Sequence, residues 1–275
     1  MDNRRMTVIT ITNQKGGVAK TTTAAALGFG LAMKGYKVLF VDADAQANLT
    51  ETVYPVDENG QIITDFGDLN LNMVMLRSCT LKETIRHSKY ENVDLVPADL
   101  FLSEIDTKLM MVMRREYVIR EALESVADEY DFCVIDTPPS LSWMTLNSLI
   151  ASDAVIIPTY MERFSLKGIN QLYENFVTIK NTVNKDIRLL GFLLTRNKRN
   201  SLSKQLKELL ETQIAVNMNT SIFKTTIREQ VAVNEAQMLN MNIYDYMKGA
   251  RKTRTGNVAE DYLNFTDEVL ERLGK

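Results

Sequence analysis

Cysteine is scarce in this chain, since its 275 residues include only two, Cys79 and Cys133. Two cysteines so far apart exclude a CxxC metal or redox motif and a disulfide framework, and they fit a reducing cytosol. Cys133 lies within an apolar run, which predicts a buried, inert thiol. The single histidine, His87, has no evident partner in the sequence, and we assign it no role.

Long apolar runs are also missing. No stretch approaches the roughly 18 apolar residues that can span a bilayer. Residues 7–12 are too short and too polar for the apolar core of a signal peptide. The chain has no Pro/Gly/Ser-rich linker, no internal repeat and no low-complexity tract. We therefore expect a soluble, cytoplasmic protein that forms one domain over residues 1–275.

Acidic and basic residues nearly balance, with a net charge of −3, but their distribution is uneven. Residues 185–254 hold 13 Lys+Arg against 6 Asp+Glu, whereas the rest of the chain holds 19 against 29. A basic region on an acidic body suggests a phosphate-rich partner for one face. It is equally compatible with a solvated surface that has no special partner. The charge pattern alone leaves both interpretations open.

Short β-rich runs alternate with longer helical stretches along the chain. Several of these runs are continuously apolar, as expected of strands covered on both faces. The predicted strands are 8–12, 37–42, 93–96, 132–136, 154–159 and 188–195. The predicted helices are 21–34, 115–129, 141–151, 166–184, 201–215 and 258–273. This alternation predicts a doubly wound α/β fold, in which a mostly parallel sheet is flanked by helices and binds ligands at the carboxyl ends of its strands.

A glycine-containing loop follows the first predicted strand and leads into the first predicted helix. It consists of Lys15, Gly16, Gly17, Val18, Ala19, Lys20, Thr21 and Thr22. Glycine lets the backbone turn its N–H groups toward phosphates, and the helix start places a positive dipole end beside them. Lys20 supplies a positive charge to the phosphates, and the Thr21 hydroxyl is suited to coordinate Mg²⁺. The pattern predicts that this loop binds ATP.

Acidic residues end two of the predicted strands, where they can reach the loop. Asp42 and Asp44 follow one strand, and Asp136 ends the apolar strand 132–136 in the Walker B arrangement, which predicts that it holds Mg²⁺. ATP hydrolysis needs both this metal and a positioned water molecule. Capping of the next helix is the alternative role for Asp42 and Asp44.

The loop KGGVAKTT, with Lys15 as its additional lysine, resembles the deviant Walker A motif of the ParA/MinD family of P-loop ATPases. Segments 41–49 and 133–140 resemble the next two nucleotide motifs of that family. The resemblance implies that Lys15 reaches the nucleotide of the partner subunit in an ATP-dependent homodimer, that Asp44 orients the attacking water, and that Asp42 lies near the metal. ATP and Mg²⁺ are the implied cofactors. The expected catalytic residues are Lys15, Lys20 and Asp44, and the expected metal residues are Thr21, Asp42 and Asp136.

Three alanines depart from the family pattern, because Ala19, Ala45 and Ala47 stand where glycine, proline and glycine are more common. If the position of Ala19 requires a positive φ, alanine costs about 1 kcal/mol there. The resemblance covers most of residues 7–240 and includes the segments 92–98 and 154–169. It implies an adenine site between the loop after Thr195 and the segment 223–226.

The family divides by cargo. Members of the ParA type sort DNA, bind it without sequence preference as ATP dimers, and are released when a centromere-binding (ParB-like) adaptor protein stimulates hydrolysis. Members that bind membranes use a basic amphipathic C-terminal helix. The last predicted helix here has an acidic outer face and an apolar stripe expected to pack in the core. The expected DNA-binding residues are Arg196, Lys198, Arg199, Lys224, Arg228, Arg251, Lys252 and Arg254, and the family match points most directly to Arg228.

The sequence therefore resembles most closely a small DNA-partition ATPase that is associated with the nucleoid and has no membrane partner. Two alternatives stay open. One is a positioning ATPase of the same family that moves a cargo other than DNA. The other is an ATP-dependent metabolic ligase with the same loop, which would call for an added substrate domain that the sequence does not display.

Overall fold

The structure is a computed structural model that describes residues 6–54, 69–160, 165–197, 220–248 and 256–275, with scattered positions between 205 and 218. It contains a seven-stranded sheet, and the strand order is β3-β4-β2-β5-β1-β6-β7. The strands are β1 (Thr7–Ile11), β2 (Val38–Asp42), β3 (Arg86–His87), β4 (Val93–Val96), β5 (Phe132–Asp136), β6 (Ala154–Tyr160) and β7 (Arg188–Thr195). Every neighbouring pair is parallel except β3 with β4.

All six predicted strands are confirmed, each to within one residue at either end. They are recognisable because the central strands are buried along their whole length, so the sequence reads as continuous apolar runs. The two-residue edge strand β3 was not predicted, because its burial pattern carries no such signal. It closes the sheet on one side as the antiparallel partner of β4.

Eleven α-helices are assigned in the described residues. They are α1 (Lys20–Met33), α2 (Asn48–Val53), α3 (Leu71–Met75), α4 (Leu81–Thr84), α5 (Ile105–Lys108), α6 (Val118–Glu124), α7 (Trp143–Ala151), α8 (Ser165–Thr182), α9 (Ala232–Met238), α10 (Ile243–Lys248) and α11 (Val258–Leu273). The helix predicted over 115–129 is shorter than expected, because it begins with a 3₁₀ turn at Arg115–Tyr117 and ends at Glu124. The helix predicted over 201–215 falls largely outside the described residues. No helix in the described ranges is long and apolar enough to cross a membrane.

Helices cover both faces of the sheet, as a doubly wound fold requires. On one face, α1 and the C-terminal helices α9, α10 and α11 share an apolar core with β1, β2 and β5. On the other face, α3 to α7 pack against β2 and β5, and α8 packs against β6 and β7. Helix α1 is enclosed: a Cβ added at Gly28 would lie 2.1 Å from the Phe40 ring, and one added at Gly30 would lie 2.4 Å from Thr266 Oγ1. Glycine at these two positions permits the close approach of α1 to the sheet and to α11.

The last helix packs in the core, as its apolar stripe predicts. Val258, Tyr262, Phe265 and Val269 are each at most 1% exposed. The acidic side of this helix was expected to form its outer face. This expectation is wrong in part, because two of the carboxylates face the protein rather than solvent. Asp261 is 9% exposed and Glu268 is 7% exposed. Both accept hydrogen bonds from the segment that precedes α9: Glu268 accepts from the backbone N–H groups of residues 224 and 225, and Asp261 accepts from residue 228.

Candidate nucleotide-binding site

The carboxyl ends of three adjacent strands bring the predicted motifs together. In the sheet register, Ile11 at the end of β1 lies beside Asp136 at the end of β5, and Asp136 lies beside Asp42 at the end of β2. The phosphate loop follows β1 directly and ends at the start of α1. Motifs that are separated by up to 120 residues of sequence therefore meet at one edge of the sheet.

The loop is braced by the ends of β6 and β7. The buried Asn13 side chain donates from Nδ2 to the Pro158 carbonyl at 2.7 Å and accepts from the Lys15 N–H at 3.0 Å. On the opposite side, Thr195 Oγ1 donates to the Val18 carbonyl at 3.1 Å. These bonds hold the loop at both ends.

Two residues of the loop have left-handed backbone conformations, Gly17 with φ 72° and Ala19 with φ 65°. A methyl group added at Gly16 or Gly17 would meet no other heavy atom within 4 Å, so this part of the loop faces open space. Ala19 is the residue that precedes α1, where alanine bears the steric cost of the left-handed region. Ala47, which precedes α2, has φ 54° and repeats this arrangement in the second motif. The positive φ foreseen for Ala19 is thus present.

We expect Ala19→Gly to raise the free energy of unfolding by about 0.5–1 kcal/mol. Glycine removes a left-handed penalty of about 1–2 kcal/mol, and the gain is reduced by its larger freedom in the unfolded chain. The measurement is urea unfolding of the nucleotide-free protein. Ala32→Gly, in the last turn of α1, is the matched control and should lower stability by up to about 1 kcal/mol. Two variants that lose stability equally would contradict a cost at Ala19.

Lys20 is the first residue of α1 and points into the site from a buried position. It is 7% exposed, and its Nζ lies 3.4 Å from the Lys15 carbonyl oxygen. Burial lowers the pKa of Lys20, whereas the nearby carboxylates of Asp136 and Asp44 act to raise it. A partly desolvated ammonium with few bonds to the protein is suited to an anionic ligand, because the ligand would restore the interactions lost on burial.

Asp42 is fully buried and tied to the start of α2. One carboxylate oxygen accepts from the Thr50 N–H and hydroxyl, both at 2.8 Å, and the other accepts from the Asp44 N–H at 3.2 Å. Burial raises the pKa of Asp42 to about 7, although the hydrogen bonds from Thr50 and Asp44 oppose that rise. Asp42 therefore orders the segment that carries Asp44, and its role as a metal residue stays a prediction.

Asp136 has a different environment, although it is 1% exposed and adjacent to Asp42. Neither of its carboxylate oxygens accepts a well-formed hydrogen bond from the described part of the chain, although the Thr21 hydroxyl lies near enough to favour the charged form. Burial raises the pKa of Asp136 well above its usual range, the charge of Asp42 adds to this effect, and the Thr21 hydroxyl and Lys20 oppose it. A buried carboxylate with so few hydrogen-bond donors is costly unless a cation or a metal-bound water compensates it further. Asp136 and Thr21 therefore fit a Mg²⁺ site.

A cleft of about 500 Å³ opens above the loop. One wall comes from the predicted motifs and includes Gly16, Gly17, Ala19, Lys20, Thr21, Thr22 and Asp44. The opposite wall comes from the end of β7 and from the segment leading into α9, and it includes Thr195, Arg196, Arg228, Gln230, Asn234 and Gln237. Most of this second wall was not predicted from the sequence. Gln237 Nε2 donates to Thr22 Oγ1 at 2.9 Å, so α9 lies directly against the start of α1.

Several predicted residues lie outside the cleft lining. Val18 is buried beneath the loop, and Asp42 and Asp136 lie below the cleft floor. Lys15 is half-buried and lines the cleft with none of its atoms. Of the segment 223–226 that was expected near adenine, no residue lines the cleft, and Phe223 is fully buried against Phe265. Adenine contact by this segment stays a prediction.

The expected DNA-binding residues are not all alike. Arg196 and Lys224 are exposed. Arg228 has a side chain that is only 17% exposed and forms an ion pair with Asp261. The remaining five, Lys198, Arg199, Arg251, Lys252 and Arg254, lie outside the described residues. DNA contact by any of these side chains stays a prediction.

Comparison with known proteins shows the family of the chain. A family model described as an AAA domain matches residues 6–189. The chain is 34% identical over 264 residues to sporulation initiation inhibitor protein Soj of Bacillus subtilis, covering 95% of this chain and 97% of that protein. It is 32% identical over 276 residues to chromosome partitioning protein ParA of Caulobacter vibrioides, covering 99% and 97%. The chain belongs to the ParA family of P-loop ATPases.

Solved structures resemble this ParA-family chain over nearly its full length. A protein named cobyrinic acid a,c-diamide synthase from Mycobacterium smegmatis, with bound ADP and magnesium, has a TM-score of 0.79 and 27% identity, covering 98% of this chain and 96% of that one. A proposed plasmid partition protein from Borrelia burgdorferi B31, bound to AMPPNP, has a TM-score of 0.75 and 28% identity, covering 98% of both. The predicted fold class and family are confirmed.

Proposed function

We propose that this chain is a DNA-partition ATPase that binds ATP–Mg²⁺ in the cleft, dimerises around the nucleotide, and binds DNA without sequence preference. Hydrolysis, stimulated by a centromere-binding (ParB-like) adaptor protein, then releases it from DNA. The observation that carries the proposal is the convergence of the braced loop, buried Lys20 and Asp44 at one cleft, with the buried Asp136 beside Lys20 and Thr21. The Soj and ParA relatives favour partition over other uses of this site.

The nucleotide is held by groups of three kinds. The loop backbone and the start of α1 present N–H groups and a positive dipole end to phosphates. Lys20 adds a buried positive charge. Asp136 and Thr21 would hold Mg²⁺, which neutralises charge on the phosphates when it is bound. The neighbours solved with ADP and magnesium and with AMPPNP support this assignment.

Asp44 is the residue proposed to orient the attacking water. It lines the cleft, and its carboxylate is fixed because Oδ1 accepts from the Gln46 N–H at 3.1 Å. Its own N–H is bound by Asp42, so the buried carboxylate holds the half-buried one in place. A positioned carboxylate that accepts a hydrogen bond from water can act in hydrolysis, whereas a solvated one has no fixed direction.

The DNA surface is proposed on the basic region of residues 185–254. Arg196 and Lys224 are its exposed members among the described residues of the proposed set. Binding through lysine and arginine to DNA phosphates gives affinity without sequence preference and weakens as salt rises. An association with the nucleoid follows from this proposal.

One structural neighbour is compatible with the ligase alternative. The neighbour named as a cobyrinic acid a,c-diamide synthase has nearly the same length as this chain, so the expectation that a ligase needs an added domain does not exclude it. The sequence relatives with higher identity are the Soj and ParA proteins, and they favour partition. A ligase would consume ATP only when its acid and amine substrates are present, whereas a partition ATPase needs neither.

The test measures binding of the protein to an arbitrary labelled DNA duplex by fluorescence anisotropy. It is made with no nucleotide, with ADP and with ATP–Mg²⁺, each at low and at high salt. We expect strong binding to DNA only in the presence of ATP–Mg²⁺, and we expect this binding to be lost at high salt. Binding that is equal in all three states, or absent in all three, would contradict it. Absence in all three would favour the positioning ATPase with a different matrix.

We expect Lys15→Ala to bind ATP and to fail in ATP-dependent dimerisation. The family match assigns this lysine to the partner's nucleotide, and its side chain does not line the cleft of its own subunit. Light scattering should give the monomer mass with ATP–Mg²⁺, and calorimetry should still detect ATP binding. Lys37→Ala, at an exposed lysine before β2, is the control and should dimerise like the unmodified protein. A Lys15→Ala variant that dimerises normally would overturn this role.

A further inference from the structure

Arg228 is held by several contacts with α11 and with the residue Gly256 that precedes it. Its Nε donates to Asp261 Oδ2 at 2.6 Å and its Nη2 donates to Asp261 Oδ1 at 2.6 Å, a two-point ion pair. Nη1 donates to the Gly256 carbonyl at 2.8 Å. The backbone N–H of Arg228 also donates to Asp261 Oδ2 at 3.1 Å. Every nitrogen of the guanidinium group thus has a partner within the protein.

The position of the Asp261 carboxylate stabilises its ion pair with Arg228. Asp261 lies in the first turn of α11, where the positive end of the helix dipole favours a negative charge. The hydrogen bonds that Arg228 donates to Asp261 raise the pKa of Arg228, although partial burial opposes this. With side-chain exposures of 17% and 12%, both partners are largely shielded from water. Breaking such a pair to reach a DNA phosphate would leave a shielded carboxylate without its cation.

The pair also fixes one wall of the nucleotide cleft. On one side of this wall, the Ile227 N–H donates to the Leu194 carbonyl at 2.8 Å and the Glu229 N–H donates to the Asn197 carbonyl at 3.3 Å. On the other side, the Arg228–Asp261 pair and the bond from the Val258 N–H to Gln230 Oε1 at 2.9 Å attach the wall to α11. The segment 227–231, which lines the cleft, is therefore clamped between the end of β7 and the start of α11.

We propose that Arg228 is a positioning residue for the nucleotide cleft, acting through Asp261, and that it is not a DNA-phosphate contact. The two-point ion pair holds residues 227–231 against the cleft so that the wall is formed before ATP enters. The part of this inference that concerns DNA rests on the proposed function, whereas the part that concerns ATP does not.

The substitution Arg228→Lys distinguishes a DNA-phosphate contact from a positioning role at this residue. A phosphate contact on DNA needs a positive charge, which lysine retains. The clamp needs the planar fork of arginine, since an ammonium group cannot bond both carboxylate oxygens and the Gly256 carbonyl in the same geometry. Asp261→Asn removes the charge of the partner at nearly constant shape. It should reproduce the effect of Arg228→Lys if the two residues act as one unit.

The experiment compares Arg228→Lys, Arg228→Gln and Asp261→Asn in steady-state ATP hydrolysis without DNA. We expect all three variants to raise KM for ATP about tenfold and to leave kcat within about twofold. In these variants the segment 227–231 must become ordered when ATP binds, and this ordering reduces the net free energy of binding. A general loss of folding would lower the active fraction and hence kcat, with KM unchanged. The Arg120→Lys and Glu124→Gln variants affect a 3.9 Å pair on α6 that lies outside the cleft lining, and they should leave both constants unchanged.

The second readout is the salt dependence of DNA binding at saturating ATP–Mg²⁺. We expect Arg228→Gln to keep the slope of the unmodified protein, whereas Lys224→Gln, at an exposed position, should lower it by about one. An unchanged KM in Arg228→Lys, or a slope lowered by about one in Arg228→Gln, would overturn the inference. If the unmodified protein binds no DNA, the proposed function fails and the KM values still decide the role of Arg228.

Discussion

Lys20→Ala should weaken ATP binding by about 100-fold or more. Lys20 is 7% exposed, so its attraction to phosphate acts in surroundings with little water. Removing one partner of such a shielded pair typically costs about 3–5 kcal/mol, and 1.4 kcal/mol corresponds to a tenfold change in affinity. Calorimetric titration with ATP–Mg²⁺ measures the effect directly.

Two further variants make this result interpretable. Lys34→Ala removes an exposed lysine just beyond the other end of α1, where it pairs with Asp267 on the surface, and it should bind ATP normally. Lys20→Arg keeps a positive charge near Asp136 and tests whether loss of binding reflects loss of folding. Thermal unfolding of all variants gives the folded fraction. A folded Lys20→Ala protein that binds ATP within about threefold of the unmodified protein would contradict the site.

Asp44→Ala should retain ATP and lose its hydrolysis, with phosphate release slowed by about 100-fold or more. The carboxylate lines the cleft but is half-exposed, so its loss removes a positioned hydrogen-bond acceptor and leaves the loop and Lys20 intact. Positioned acid–base groups typically contribute about 10²–10⁴-fold to rate. The measurement is phosphate release under saturating ATP–Mg²⁺, together with calorimetric ATP binding.

Asp128→Ala is the control for this prediction, because Asp128 is exposed after α6 and lies outside the cleft lining. It should hydrolyse ATP at the unmodified rate. The Asp44→Ala protein should also persist as an ATP-bound dimer after long incubation. Hydrolysis by Asp44→Ala at the unmodified rate would show that the water is oriented by another group.

The phosphate loop and the strand-end aspartate could be predicted from the sequence, because each lies within one contiguous segment. The loop 15–22 lies between β1 and α1, and Asp136 ends an apolar strand, so local pattern alone locates them. The fold class follows from the same strands, since buried parallel strands are apolar throughout. The single domain expected over residues 1–275 remains a prediction.

The rest of the site depends on tertiary contacts that leave no local pattern. Gln237 and Asn234 lie on a seven-residue helix without a distinctive motif, and only the packing of α9 against Thr22 brings them to the cleft. The roles of acidic residues were similarly hidden. Asp261 and Glu268 appear in sequence as part of a solvated face, yet each is buried by the segment it binds. Charge and periodicity do not indicate which acidic residues acquire internal partners.

The central claim is that ATP, and not ADP, converts the chain into a dimer around the nucleotide. Light scattering coupled to size-exclusion chromatography tests it most directly, with no nucleotide, with ADP–Mg²⁺ and with ATP–Mg²⁺ in the column buffer. We expect a doubled mass with ATP–Mg²⁺ only. The same mass in all three states, in a protein shown by calorimetry to bind ATP, would contradict it.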